Sequence, residues 1–299
     1  MQKILITGGS GLIGVSLTKL LVKEGYEVTH LTREKNSLCG VRTYLWDTRK
    51  KFIEAGALEN TSYIIHLAGT NIGGGRWTDE RKNSIVKSRT KTAEFLFQKV
   101  KEKNIPLKAF ISASGISYYG TVTSDNIFNE EDTFGKDFAA QCVVEWEKSV
   151  DRFSEICRVV KLRTGIVLDK NGGALQKMFA PMQWGIGSAL GTGKQWMPWI
   201  HIDDICKMYL FVLKNDLSGI FNAVAPEQVT NEQFIRTLAK VTRHRLLMPK
   251  VPAFLLRWIF GEMAIIVLEG SRVSGEKIQK QGFIFGYSEL NKALVSIYA

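Results

Sequence analysis

The 299-residue sequence predicts an α/β protein, a doubly wound parallel sheet with a smaller C-terminal substrate-side subdomain. Two observations carry that prediction. Short, continuously apolar runs alternate with segments of helical periodicity, the pattern of strands covered on both faces. The first run closes in a glycine-rich turn that opens directly into a helix, Thr7-Gly8-Gly9-Ser10-Gly11-Leu12-Ile13-Gly14.

Along the chain, Lys3–Thr7 is the first strand. Leu12, Ile13, Leu17, Leu20 and Leu21 recur at helical spacing, with Gly25 as the stop. Residues 27–32 form a second strand, 41–45 a short third, and 63–67 a fourth that closes in Ala68-Gly69. A long helix over 78–103 carries charges on one face. A fifth strand (109–113), a helix (138–153) and a sixth strand (156–162) follow. Beyond Gly165 the pattern loosens into glycine-rich loops at 171–173 and 185–193. A helix over 203–214, with Asp203 and Asp204 as N-cap residues, precedes a further strand at 220–224 and a helix at 231–241. From Pro249 the composition shifts to Pro, Phe, Leu and Trp. The expected division is a dinucleotide-binding domain over 1–245, its platform mainly 1–168, and a C-terminal module over 246–299.

Composition excludes several classes. With 45% hydrophobic and 23% charged residues and only 6 prolines, a disordered or collagen-like chain is ruled out. The longest apolar stretches, near 251–260 and 263–268, are interrupted by Arg257 and Gly261-Glu262, short of the roughly 18 residues of a spanning helix. The apolar run after Met-Gln-Lys is too short for a secretory signal. Four scattered cysteines without a CxxC pair point to reduced thiols and a cytoplasmic location. The four histidines stand apart from each other and from the cysteines, so no metal site is expected. Lys and Arg outnumber Asp and Glu 40 to 29, a net charge of +11 that favours anionic partners. Between Arg236 and Lys280 nine Lys/Arg face three Glu, without a nucleic-acid-binding motif. The expected partner is a small-molecule substrate, with no nucleic acid and no membrane; the sequence leaves the oligomeric state open.

In the turn, Gly9-x-Gly11-x-x-Gly14 overlaps Gly8-x-x-Gly11-x-x-Gly14. Glycine permits the tight bend and lets main-chain N–H groups approach a diphosphate. The helix tip supplies about half a positive charge, and the last glycine lets the helix pack against the sheet. This is a Rossmann-type dinucleotide site. At the end of the second strand an NAD site places an acid for the ribose hydroxyls. Here Thr32 and Arg33 stand instead, and an arginine pairs with a 2′-phosphate, which favours NADP. The other reading leaves Arg33 exposed and gives the ribose to Glu34.

Thr7-Gly8-x-x-Gly11-x-x-Gly14, His66-Leu67-Ala68-Gly69 and Tyr119-Gly120 resemble the extended short-chain dehydrogenase/reductases, the nucleotide-sugar epimerase-like group. Arg76-Trp77-Thr78, Ser88-Arg89-x-x-Thr92, Trp146-Glu147, Arg163-Thr164-Gly165 and residues 193–204 narrow the resemblance. They look like an atypical branch, the NAD(P)-dependent epimerase family proteins, whose small C-terminal module matches 251–283. The resemblance spans essentially the whole chain. It implies NADP(H) binding through Gly8, Gly11, Leu12, Ile13 and Gly14 at the turn, and through Thr32 and Arg33. It also implies contacts from Leu67, Ala68 and Gly69, from Arg89, and from Val167. Without it, Arg89 reads as a helix-surface charge.

Ordinary members of the superfamily use a Tyr and a Lys one helical turn apart, the Lys helping the phenol exchange a proton near neutral pH. None of the eight tyrosines here has Lys four residues on. Phe138 or Ala139 falls at the Tyr position, and Cys142 or Val143 at the Lys position. The serine is displaced too: the epimerase spacing lands on Gly115, one residue past Ser114. The candidate catalytic residues that remain are Ser114 and Tyr119, with Tyr118 beside them. Trp77, Trp184, Trp196 and Trp199 line a cleft or fill the core. His201, just ahead of the Asp203-Asp204 cap, has a structural role or acts as a base. The expected function is an NADP(H)-dependent oxidoreductase or epimerase-like enzyme with an unusual proton donor, its substrate unidentified. The alternative is a non-catalytic NADP(H)-binding redox sensor or interaction protein.

Overall fold

Strand β1 (Lys3–Thr7) is buried along its whole length at the middle of an eight-stranded sheet in the computed structural model, which describes residues 1–34 and 39–298. The chain continues through α1 (Leu12–Lys23), β2 (Glu27–Thr32), β3 (Arg42–Asp47), β4 (Phe52–Ile53), β5 (Thr61–His66), α2 (Asp79–Glu102) and β6 (Ala109–Gly115). Then come β7 (Ile127–Phe128), α3 (Phe138–Asp151), β8 (Arg158–Thr164), β9 (Ile166–Leu168), α4 (Gly173–Gln183), β10 (Trp199–His201), α5 (Ile202–Lys214) and β11 (Gly219–Ala223). The remainder is α6 (Asn231–Val241), α7 (Ala253–Phe260), α8 (Ile265–Leu268), β12 (Arg272–Val273), α9 (Glu276–Lys280) and α10 (Leu290–Tyr298).

The strand order is β11-β8-β6-β5-β1-β2-β3-β4, parallel throughout except for the β3–β4 pair. Alternation along β1 sets the two layers. Ile4 and Ile6 face α1 and α5, packing with Leu17, Leu21, Ile205 and Met208. Leu5 faces α2 and α3, packing with Ile64, Phe97, Phe110 and Phe153. Because β2 lies on one side of β1 and β5 on the other, the connections diverge at the C-terminal end of β1, where open α/β sheets bind ligands. The C-terminal residues are woven into the rest. Phe283 and Phe285 join the α5 layer, and Leu290 and Leu294 of α10 pack with Phe234 and Leu238 of α6.

The strands predicted at 3–7 and 27–32 are found there, whereas the fifth and sixth run two residues further at their C-terminal ends. Periodicity did not reveal β4, β9, β10 or α4. The start of α5 is a correction. Its N-cap is His201, whose Nδ1 accepts from the Asp203 amide at 3.1 Å. Asp204 is instead fully buried and accepts from the Gly286 and Tyr287 amides at 2.8 and 2.9 Å, tying the C-terminal segment to the platform. Of the four tryptophans left between cleft and core, Trp77 and Trp199 are buried and Trp184 is exposed. Trp196 donates to the Ser124 carbonyl.

Candidate functional site

The glycines of the first turn are fixed by contact as well as by conformation. Gly8 sits at φ +72, and a Cβ there would come within 2.9 Å of the Ala68 nitrogen. At Gly14 a Cβ would lie 2.4 Å from the Gly8 carbonyl oxygen, so only glycine lets α1 start this close to β1. Gly11 is the N-cap of α1. No side chain caps that terminus and no acid lies in its first turn, which leaves its amide end to a ligand or solvent. Leu12 and Ile13 are half-buried against the α5 layer. Facing the turn is a second glycine-opened helix. The N-cap of α4 is Gly172, also without a side-chain cap or a first-turn acid, and Leu12 is the neighbour a Cβ at Gly172 or Gly173 would meet. Between the two tips lies a cleft of about 300 Å³ lined by Ser10, Gly11, Leu12, Asp169, Asn171 and Gly172. The glycines within 171–173, expected from sequence to be a loop, open α4. Its missed signal was the apolar spacing of Leu175, Met178, Phe179 and Met182 directly after the glycines.

The end of β5 is locked to β1 by a buried histidine. His66 Nδ1 lies 2.8 Å from Thr7 Oγ1 and Nε2 3.3 Å from Thr92 Oγ1. Burial, reinforced by the Arg89 charge, pushes its pKa down to about 4, so the ring is neutral. The Leu67 amide donates to the Thr7 carbonyl and the Ala68 amide to Thr7 Oγ1. Arg89 lies across Gly69, where a Cβ would be 3.1 Å from its Cζ, and stacks over Trp146 at 5.1 Å. Its Nη1 donates to the Ile85 carbonyl, and it makes no ion pair among the described residues. Burial lowers its pKa. Thr32 donates to the Glu34 carbonyl, and Arg33 is exposed at the end of β2. Val167, in β9, pairs with Ile200. The predicted cofactor residues thus lie at the C-terminal ends of β1, β2 and β5, on the two helices that follow, and on β9.

The other half of that edge is filled by a polar network that sequence reasoning did not assemble. Arg163 on β8 is 1% exposed and grips Glu147 of α3 with two hydrogen bonds, Nε to Oε1 at 2.8 Å and Nη2 to Oε2 at 2.9 Å. Ser114 donates to Glu147 Oε1 at 2.6 Å. Arg163 Nη1 donates to Tyr119 Oη at 3.0 Å, and Tyr119 donates to Asn222 Oδ1 at 2.7 Å. Lys161 approaches Glu147 at 3.6 Å. Burial works to raise the Glu147 carboxyl, but Arg163, Ser114 and Lys161 outweigh it and hold the group below its ordinary value. Burial drives Tyr119 the other way, up to about 12.

The two residues expected to be catalytic, Ser114 and Tyr119, both place their hydroxyls within the Glu147–Arg163 network. On α3, Phe138 packs edge-on to Trp77 at 4.9 Å, Ala139 and Val143 are buried, and Cys142 is buried with its thiol pushed up by burial. Tyr118 differs from its neighbour. It is half-buried, its ring centroid 3.3 Å from Arg163 Cζ, and its hydroxyl makes no hydrogen bond among the described residues.

Sheet order, crossover and glycine turn together define an extended short-chain dehydrogenase/reductase with an epimerase-like Rossmann platform. The NAD dependent epimerase/dehydratase family matches residues 4–144, and a domain of unknown function (DUF1731) matches residues 251–297. An epimerase family protein of Staphylococcus aureus (strain MRSA252) is 35% identical over 296 residues, 98% of each chain. The human epimerase family protein SDR39U1 is 32% identical over 304 residues, all of each chain. The crystal structure of that human protein (isoform2) with NADPH superposes with a TM-score of 0.91 at 30% identity, covering 99% of both chains. A nucleoside-diphosphate sugar epimerase from Corynebacterium glutamicum superposes with a TM-score of 0.78 at 28% identity, over 99% of this chain and 58% of that one. The chain belongs to the epimerase family proteins.

Proposed function

We propose that this protein binds NADP(H) and is an oxidoreductase or epimerase-like enzyme that works without the Tyr-Lys pair of its superfamily. The observation that carries this reading is the bare amide tip of α1, set against glycines that admit no side chain. The human relative solved with NADPH supports it. Gly8, Gly11, Leu12, Ile13 and Gly14 hold the diphosphate, and Thr32 and Arg33 take the adenosine phosphate. Leu67, Ala68, Gly69, Arg89 and Val167 receive the nicotinamide half. When bound, the nicotinamide supplies or accepts hydride.

The chain contributes the proton and the scaffold. Glu147, Arg163, Ser114 and Tyr119 form a rigid wall, and Tyr118 presents its phenol from the face of that wall. A guanidinium stacked on an aromatic ring stabilises negative charge developing there, so Tyr118 is the donor to a carbonyl oxygen. The test is single-turnover oxidation of bound NADPH across a panel of aldehydes, ketones and quinones. Tyr118→Phe is expected to slow hydride transfer about a hundredfold while leaving NADPH affinity unchanged by calorimetry. Phe138 or Ala139 at the Tyr position and Cys142 or Val143 at the Lys position favour a second reading, a non-catalytic NADP(H)-dependent sensor. Tight NADPH binding without turnover of any carbonyl would decide for it.

A further inference from the structure

The sequence offers no sign of a membrane partner, but one face of the folded molecule does. Among the described residues no helix is long and apolar enough to cross a bilayer, so the question is one of surface attachment. Helix α7 buries Leu256 and turns Phe254 and Trp258, one turn apart, outward at 72% and 74% exposure. The chain leading into α7 adds Leu247 and Met248, at 74% and 51%. Beside it runs the segment after α4: Ser188 Oγ donates to the Pro249 carbonyl at 2.6 Å, the Gly191 amide donates to the Val251 carbonyl, and the Val251 amide donates to the Ala189 carbonyl. That segment carries Ile186 at 56% exposure. A single exposed apolar side chain needs no explanation, but this many on adjoining segments do.

The charge on the same stretch identifies what covers it. Residues 233–261 contain six Lys/Arg and neither Asp nor Glu. Arg236 and Lys250 are paired with Glu232. Lys240, Arg243, Arg245 and Arg257 make no ion pair among the described residues. A second copy of the chain is a poor occupant, because a two-fold contact would set these cations against themselves. Exposed aromatic and aliphatic side chains on a short helix, interleaved with unpaired arginines, match the interface of an anionic bilayer. There the rings enter the headgroup boundary and the guanidiniums meet lipid phosphates.

We infer that the face formed by α7 and the 243–249 segment docks on an anionic lipid surface. The attachment is peripheral and reversible. It is independent of the cofactor reading, since none of these residues lies at the glycine turn.

The full-length protein is to be floated at physiological salt with vesicles of phosphatidylcholine alone and of phosphatidylcholine mixed with phosphatidylglycerol. Binding is expected only to the mixed vesicles, weakening steeply as salt rises. Arg243→Gln/Arg245→Gln/Arg257→Gln is expected to weaken it about a hundredfold, at roughly fivefold per charge. Phe254→Ser/Trp258→Ser is expected to weaken it about tenfold or more. All five side chains are exposed, and unchanged circular dichroism and NADPH affinity confirm that the variants are folded. Failure of the native protein to float with the mixed vesicles overturns the inference, as does flotation that neither variant reduces. A concentration-dependent dimer by light scattering that disappears in Phe254→Ser/Trp258→Ser also overturns it, by assigning the face to a second copy.

Discussion

The two halves of the sheet's C-terminal edge solve opposite problems. At the ends of β1 and β5 the chain withholds side chains: glycines line the turn, and α1 and α4 begin without a side-chain cap. Three helices away from this turn are capped by side chains. Thr78 caps α2, Asp137 caps α3, and Thr230 with Gln233 closes a capping box on α6. At the ends of β6 and β8 the chain does the reverse, packing Ser114, Tyr119, Glu147, Lys161 and Arg163 into one saturated network. One half leaves main-chain donors open for a charged guest. The other satisfies every charge internally and so holds its shape whether or not a guest is present.

The largest expected effect lies in the saturated half. Arg163→Met strands Glu147 in a buried site and is expected to cost about 3–5 kcal/mol of stability in chemical denaturation. Adding Glu147→Leu removes the stranded charge and recovers part of that loss. If the double variant is no more stable than the single one, the pair is not the organising unit of this wall. On the open side the corresponding change is Gly14→Ala, whose Cβ would meet main-chain atoms at 2.4 and 2.6 Å. NADPH affinity is expected to fall more than about a hundredfold as the turn opens. Native-like affinity in that variant would mean that the diphosphate lies elsewhere.

A third test uses acid. The folded-state pKa of His66 is about 4, below its unfolded value near 6.5, so the unfolded chain takes up the proton first as pH falls. Stability is therefore complete above about pH 6.5 and is lost toward pH 4, by roughly 3 kcal/mol from this residue. His30 and His201, also lowered by burial, add to the same slope. The Glu147 carboxyl extends the loss to lower pH, since its stabilisation disappears as pH falls through a depressed pKa. Urea midpoints measured from pH 7 to pH 4 check this. A flat profile would mean that His66 is not held neutral between Thr7 and Thr92.

What the sequence disclosed follows the same division. The open half is local: strand, glycine turn and helix occupy 21 consecutive residues, Lys3–Lys23, so periodicity and turn chemistry were enough to read them. The closed half is assembled from a distance. Tyr119 meets Asn222 across 103 residues, and Asp204 reaches the main chain 82 residues away at Gly286. Nothing in the spacing of Asp203-Asp204 distinguishes a helix cap from an acid that clasps another segment. Trp146-Glu147 and Arg163 are legible as family motifs, yet their pairing depends on β8 lying beside β6 in register, Ser114 opposite Arg163. The α4 start was legible in principle, but two adjacent glycines read as a loop more readily than as a helix tip.

The smallest effect concerns the rim of the open half. Arg33 is exposed at the end of β2, and the neighbouring Thr32 hydroxyl is already bonded to the Glu34 carbonyl. A 2′-phosphate pairing with a solvent-exposed guanidinium gains less than one in a buried fork, because water screens the charge. Arg33→Ala is therefore expected to weaken NADPH binding only about tenfold and to leave NADH nearly unchanged. Calorimetry on both cofactors reads the difference directly. Equal affinities in the native protein would assign the ribose to Glu34. Preference for the phosphorylated cofactor surviving in Arg33→Ala would move the phosphate's partner to another cation at this edge.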